Sequence, residues 1–373
     1  MSPVWQLIDD PFASADVAEQ WDELWARSTS RSATAQAEQL ALWCDSFAPD
    51  PTLRLIVVRD DELADGRWLA ALPVLRQRWR GLLPVGALPG NEWSLAGDLL
   101  VDETVLGCDD ANRIADTLAA GLSRLNLPLY RFHGVAAESP AWRLLRAALS
   151  RQGWTADVRP MHDVPILRRF SDWAACRASW SKEHRHNLER LRRRLDEGGG
   201  AALVRHRLHE MPADGARALM LRAFDVERSS WKGDAGSAIA NDESRTTFFV
   251  AQSRMLARRG AAELVCLERD ATILAFAYGW THRGVTQVAK IGYDPEFARF
   301  GPGQLLFHDW LRELHDDTSW RALDFLGPAT PALRRWTGDT YSVERLLLAP
   351  SRWLSRTLLR TLRPGLATSP AVR

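Results

Sequence analysis

The chain has 373 residues, 46% hydrophobic and 25% charged, with a formal net charge of +1. That length exceeds one ordinary core and predicts two domains of about 150–200 residues each. The near-neutral balance excludes a general polyanion binder, so any charge-based function must be local.

In the first half, residues 17–28 and 37–48 have helical periodicity, with Trp21, Leu24 and Trp25 and then Leu40, Trp43, Cys44 and Phe47 apolar. Residues 53–81 read as two strands joined by a polar turn at Asp60–Gly66. A loop rich in Gly and Pro (81–98) precedes a helix around 109–125, a short strand at 128–135 and a helix around 140–151. The second half begins near residue 165 and repeats this order. A helix at 179–200 stops at three glycines, and a strand follows at 201–208. Helices then cover 214–231 and 244–260, the last ending at Gly260, where a C′ glycine is expected. Residues 263–294 supply three strands with turns at Arg269–Asp270 and His282–Gly284. A helix after Gly303, a strand at 321–327, a helical turn, a strand at 341–349 and a closing helix complete the chain. The expected division is 1–164, 165–349 and a basic tail at 350–373.

The segment "RFGPGQLL" (299–306) invites two readings. A helix N-terminus has unpaired N–H groups and a partial positive charge, and glycine lets a ligand approach the backbone. The backbone of Gly301, Gly303, Gln304 and Leu305 would then cradle phosphate, with Arg299 adding charge. Alternatively the glycines only turn the chain. In "AFDVERSSWKG" (223–233), Glu227 has the chemistry to take a proton from an attacking amine. Trp231 could floor an acceptor site, beside the charges of Arg228 and Lys232. The competing reading makes the charges surface residues and Trp231 core. Asp324 interrupts an apolar strand; facing inward it must be paired or functional, facing outward it merely alternates. Tyr341 is a candidate for protonating a thiolate.

The helix around 182–195 has six basic residues against Glu183 and Glu189, with Leu188, Leu191 and Leu195 as its buried stripe. It is either a solvated face or a surface for an anionic partner such as tRNA. From Arg345 to Arg373 there are six arginines and no acid, a basic amphipathic pattern that packs on the domain or lies on an anionic membrane surface. Cys44, Cys108, Cys176 and Cys266 are scattered, and no His/Cys group has zinc spacing, so buried reduced thiols and no metal are expected. The amino-terminal stretch carries acids where a signal peptide needs bases, and no run of about 18 apolar residues occurs; a cytoplasmic protein is expected. Neither a GxSxG elbow nor a Walker loop is present, which removes the hydrolase and NTPase readings.

In assembly, "IGYDPEFARFGPGQLLFHDWL…ALDFLGP" (291–328), "HRHNLERLRRRLDEGG" (184–199), "ERSSWKG" (227–233) and the opening "EQWDELWARS…LALWCDSF" resemble a family. The resemblance is to the BioF2-like (CelD/BcsL-type) acetyltransferase domain of the GNAT superfamily, related to FemABX enzymes. It implies an α+β fold of tandem GNAT-like domains, each a mixed, mostly antiparallel sheet flanked by helices. It also implies transfer of an acyl group from acyl-CoA to an amine or hydroxyl of a small-molecule, saccharide or envelope-precursor acceptor. The cofactor would run along Ile291, Gly292 and Tyr293 to a pyrophosphate site on the 301–305 backbone. Tyr293 and Asp294 would stand beside the thioester, where the central strands splay, and Glu227, Trp231 and Asp324 near the acceptor. FemABX relatives use aminoacyl-tRNA, but those that do often carry a long helical arm, and its absence here argues for acyl-CoA and against nucleic acid. A non-catalytic module that kept the fold is the remaining alternative. Such domains commonly follow the fifth strand with Gly, an acid and a Tyr-Lys pair. Here "GPATPALRRWTGD" (327–339) has neither the acid nor the Tyr-Lys, leaving Arg334 or Arg335 to supply the lysine's charge.

Overall fold

A computed structural model describes residues 2–30, 32–48, 53–62, 66–79, 81–351 and 357, apart from the Trp231 side chain. The chain falls into two units, residues 1–162 with 342–373, and residues 163–341. The first unit runs β1 (Pro3–Asp9), α1 (Ala15–Arg27), α2 (Ala37–Phe47), β2 (Leu53–Asp60), β3 (Trp68–Trp79), β4 (Leu83–Ala87) and β5 (Leu100–Val101). It continues with α3 (Ala111–Arg124), β6 (Tyr130–Val135), α4 (Pro140–Arg151) and the start of β7 (Thr155–Arg168). β1 to β4 pair in sequence antiparallel, and β4 pairs with β6 in parallel after the α3 crossover. Apolar faces of α3 and α4 drive the packing: Ile114, Leu118, Leu122, Trp142, Leu145 and Leu149 join Ile56, Leu72, Tyr130 and Phe132 in one core.

The second unit holds the end of β7, then α5 (Trp173–Ser179), α6 (Lys182–Glu197), β8 (Ala202–Arg207), α7 (Ala213–Arg228), α8 (Trp231–Asp234) and α9 (Glu243–Arg258). β9 (Ala262–Arg269), β10 (Thr272–His282), β11 (Val285–Tyr293), α10 (Pro302–Asp316) and β12 (Ala322–Asp324) follow. The strand order is β7-β12-β11-β10-β9-β8, with only β11–β12 parallel. Both hairpin turns use left-handed residues, Asp270 and Ala271 in one and Arg283 and Gly284 in the other, matching the twist of the flanking strands. Gly260 is left-handed just past α9, as the sequence led one to expect. Leu188, Leu191 and Leu195 of α6 pack with Leu305, Leu306, Trp310 and Leu314 of α10 on Val265, Ala275, Ala277 and Leu323 of the sheet. Each unit thus repeats the same order: three antiparallel strands, a crossover helix and a parallel strand, in a mixed, mostly antiparallel sheet flanked by helices.

Three differences from the sequence reading have physical causes. β1 lacked a pattern because its residues are only half-buried, and among the described residues it pairs with β2 alone. β7 contains Pro160 and Pro165, residues that argue against a strand. The final strand β13 (Thr340–Ala349) enters the first unit from Ser342, so the second unit ends at Tyr341 rather than 349. Leu346 and Leu348 pair with Phe132 and Tyr130 of β6 and are fully buried in the first core. The basic closing helix lies outside the described residues except Thr357. Among the described residues no helix is long and apolar enough to cross a membrane.

A buried carboxylate braces the first unit. Asp102 is 0% exposed and accepts from Arg27 Nε at 2.9 Å and Arg67 Nη2 at 2.6 Å. Burial alone would raise its pKa, but hydrogen bonds from Arg67, Thr104 and Arg27 outweigh it and bring the carboxyl down to about 2. The folded value lies below the unfolded value, so the stabilisation of ~2 kcal/mol is complete above pH ~4 and fades as the pH falls toward 2. Asp102→Asn should cost ~3 kcal/mol in denaturant unfolding at pH 7. The gap from the parent protein should narrow at pH 3; a pH-independent gap would contradict this account.

Candidate functional site

The site begins with a mismatch between strands. β11 and β12 pair at Val285↔Ala322, Thr286↔Leu323 and Gln287↔Asp324, and then stop. On the other side of β11, Tyr278 pairs with Lys290 and Gly279 with Val288, which makes Ala289 an extra residue. Such a bulge bends its strand and increases the twist. The chain after Asp324 follows β7 instead, with Phe325 N donating to Pro165 O at 3.2 Å and Ala329 N to Asp163 O at 2.8 Å. From Val288 to Tyr293, β11 therefore has no strand on its β12 side among the described residues. Gly279 permits this close approach: a Cβ there would lie 2.1 Å from Gln287 O.

Asp324 stands where the sheet opens. It is 4% exposed, so the outward-facing reading fails, and its carboxylate is held from two sides. Tyr341 Oη donates to it at 3.0 Å from Oδ2 and 3.1 Å from Oδ1. Leu326 N donates to Oδ1 at 2.9 Å, from a residue in the left-handed region at φ 52. Leucine adopts that conformation at a cost of ~1–2 kcal/mol, which the Asp324 turn offsets. Paired parallel residues share a face, so Gln287 lies beside Asp324; its Oε1 accepts from Trp280 Nε1 at 2.6 Å. Two of the three candidate catalytic residues are thus in contact, 17 positions apart.

Glu227 is positioned differently. It is 2% exposed, and Oε1 accepts from Lys232 Nζ at 2.8 Å while Oε2 accepts from Ile239 N at 2.9 Å. Lys232 Nζ also donates to Ile291 O at 2.7 Å, on the open stretch of β11. Glu227, read from the sequence as a candidate general base, has both carboxylate oxygens engaged by Lys232 and Ile239. What Glu227 does is fasten the end of α7 to β11 through Lys232. Arg228 is turned outward and pairs with Asp225 at 2.7 Å on its own helix, so it does not join this group. The Trp231 side chain lies outside the described residues.

The loop after β11 is tightly built. Asp294 Oδ1 accepts from Glu296 N at 2.9 Å, a short helical turn covers Pro295–Phe300, and Gly301 starts α10 at φ 60. A Cβ on Gly301 would lie 2.6 Å from Leu191 Cδ1, so this glycine is required by α6 beneath it. The backbone cradle expected over 301–305 is narrower than the sequence suggested. Gly301 N donates to Ala298 O at 3.0 Å, and Gln304 N and Leu305 N both turn back to Gly301 O. The first helical turn consumes those donors, leaving Gly303 N as the one of the four without a bond given by the fold. A Cβ at Gly303 would meet nothing within 4 Å.

Gly292 is a packing glycine, since a Cβ there would lie 2.5 Å from Phe276 Cε1. Ile291 and Tyr293 are each 37% exposed. Tyr293 and Asp294 were expected beside the splay, but six residues of β11 (Val288–Tyr293) place them ~20 Å along the strand, at the end that leads to α10. Arg299 is exposed and lies over the Phe300 ring at 4.6 Å. Arg334 is half-exposed, 4.0 Å from Asp163. The sequence reading passed over Asn187 and counted Arg190 only among the basic residues of its helix. Arg190 Nη2 donates to Asn187 Oδ1 at 2.7 Å, and Asn187 Nδ2 to Gln304 Oε1 at 3.0 Å, which ties the basic helix to the start of α10. Asn187 sits one turn before Leu191, the residue under Gly301, and that spacing was the available signal.

Residues 182–334 match the family model described as an acetyltransferase (GNAT) domain. That match lies within the second unit. The whole chain is also similar in fold to solved structures. One is FemX, with a TM-score of 0.57 at 12% identity, covering 92% of this chain and 98% of that one. Another is the C-terminal domain named for lysylphosphatidylglycerol synthetase from Agrobacterium fabrum, with a TM-score of 0.52 at 11% identity, covering 93% and 96%. A third is a conserved protein of unknown function from Bacteroides thetaiotaomicron, with a TM-score of 0.54 at 13% identity, covering 89% and 97%. At these identities the likeness shows the fold alone. The sequence matches none of the curated proteins it was compared with.

The two glycines of the loop should behave oppositely in unfolding experiments. Gly301→Ala should lose ~1–2 kcal/mol or more, from its left-handed backbone and the Leu191 contact. Gly303→Ala, on open helix, should hold or gain up to ~1 kcal/mol. Equal losses would contradict the division of labour between them.

Proposed function

We propose that the second unit transfers an acyl group from acyl-CoA to an amine or hydroxyl of a small-molecule or saccharide acceptor, by direct attack on the thioester. One observation carries this reading: a buried carboxylate–phenol pair lies where the sheet opens, at one end of a strand whose other end reaches a glycine-led helix start. The open edge of β11 offers backbone partners to the amides of the CoA arm. Gly303 N, Arg299 and Arg190 are the donors assigned to its phosphates.

Asp324 is the assigned base and Tyr341 its relay. As the acceptor nitrogen bonds to the carbonyl carbon, its proton passes to Tyr341 Oη while the tyrosine's own proton moves to Asp324. The C–S bond then breaks, and the proton returns along the same pair to the CoA thiolate. Buried thiols do not compete as nucleophiles: burial, joined by Asp45, pushes the Cys44 thiol up to about 12, and burial pushes the Cys176 thiol up to about 12. Glu227 and Lys232 are assigned as positioning residues that hold β11.

A second reading, aminoacyl transfer from tRNA, has its own support. A cleft of about 500 Å³ along α6 and α10 is lined by Arg177, Arg185, Arg192, Arg193 and Arg312. Three acids share that cleft, and Arg177 and Arg192 are already paired with Glu189 and Asp309, which weakens it as a polyanion surface.

Calorimetry with acetyl-CoA and longer acyl-CoAs separates the two. Saturable binding is expected, weakened by Gly303→Ala; its absence at millimolar ligand, with steeply salt-dependent tRNA binding, would overturn the first reading. Asp324→Asn should lower kcat by ~100-fold or more without weakening acyl-CoA binding. Unchanged turnover would remove Asp324 from the chemistry.

A further inference from the structure

We infer that His206, Cys266 and Glu268 form a zinc-type cation site on the face shared by β8 and β9. The antiparallel register sets His206 opposite Leu264 and Val204 opposite Cys266, so all three side chains leave the same face of the two strands. Their ligand atoms lie within 4.8 Å of one another, and among the described residues this is the one such cluster of three.

The chemistry of the cluster points to a metal. His206 Nε2 lies 2.9 Å from Glu268 Oε1, and Cys266 Sγ lies within 4.8 Å of both. Imidazole, thiol and carboxylate thus converge on one point, where a divalent cation would join all three. Tetrahedral zinc with bonds of ~2.0–2.3 Å needs ligand atoms ~3.3–3.6 Å apart, about an ångström of side-chain adjustment. Thiolate, imidazole and carboxylate together select zinc or a similar ion over magnesium or calcium. Cys266 is fully buried, while His206 and Glu268 are 22% and 16% exposed, which leaves an outer position for water. Arg222 of α7 has its guanidinium tied to Ala271 O.

The site is structural. β8 is an edge strand of the unit and β10 stands between β9 and β11, so the cation lies away from the opened strand pair. It would tie the half-exposed edge strand β8 to β9, its one neighbour among the described residues, a position where edge strands need protection. Spacing rules miss it because 60 residues separate His206 from Cys266 and no ligand pair sits within one turn or loop.

Cobalt(II) titration of the chelator-treated full-length protein tests the inference. One equivalent should give a thiolate-to-cobalt charge-transfer band with tetrahedral d–d bands, displaced by zinc. Cys266→Ser should abolish the charge-transfer band, and His206→Gln should weaken binding at least tenfold. His209→Gln, just outside the cluster, should leave both unchanged. Should Cys266→Ser fail to fold, the partly exposed His206→Gln carries the same reading. No band at millimolar cobalt, or a band indifferent to Cys266→Ser or His206→Gln, would overturn the site.

Discussion

One extra residue, Ala289, decides where this molecule opens. It puts β11 out of step with β10 just past Val288, one residue beyond Gln287, the last residue that pairs with β12. Two parallel strands that kept their register would close the sheet and leave no backbone for a ligand. The bulge bends β11 away, while β12 and the chain after it keep to β7. Gly279 is the steric condition for this arrangement, since any side chain there would run into the Gln287 carbonyl. Asp324 and Gln287 then lie side by side at the point of divergence, with Trp280 bonded to Gln287, and beyond it β11 has no strand on its β12 side among the described residues, while Lys232 holds Ile291 O.

The same physics separates the two halves of the repeat. Both have three antiparallel strands, a crossover helix and a parallel strand. In the second unit only eight residues lead from β11 to α10, and they end in Gly301 beneath which α6 packs. In the first unit the corresponding connection is much longer, contains β5, and enters α3 from Asp110 rather than from a left-handed glycine. A repeated architecture thus supplies one glycine-led helix start, and the assigned chemistry goes with it.

Most of the fold was legible because helix and strand periods are strong wherever one face is buried, as in α3, α6, α10 and the β9–β11 meander. What escaped was governed by tertiary context. β7 hid behind its prolines, and β13 looked like the last strand of the second domain because its partner β6 is far away in sequence. Asp324 could be read only as facing in or out; the 17-residue separation from Tyr341 concealed their contact. Glu227 looked free to act as a base because a sequence shows a carboxylate but not the Lys232 and Ile239 donors that occupy it. The expected phosphate cradle shrank for a similar reason: a helix start offers donors only where its own first turn does not bend back to use them. Gly301 and Gly303 look alike in sequence, yet one answers to Leu191 and the other to open space.

Hydrogen–deuterium exchange on the full chain, with and without acetyl-CoA, tests the central claim most directly, because the open edge of β11 is a statement about backbone N–H groups. The account expects slowed exchange in peptides spanning Val288–Leu305, with the first unit's β4–α3 connection unchanged. Protection absent from Val288–Leu305, or confined to the first unit, would contradict it.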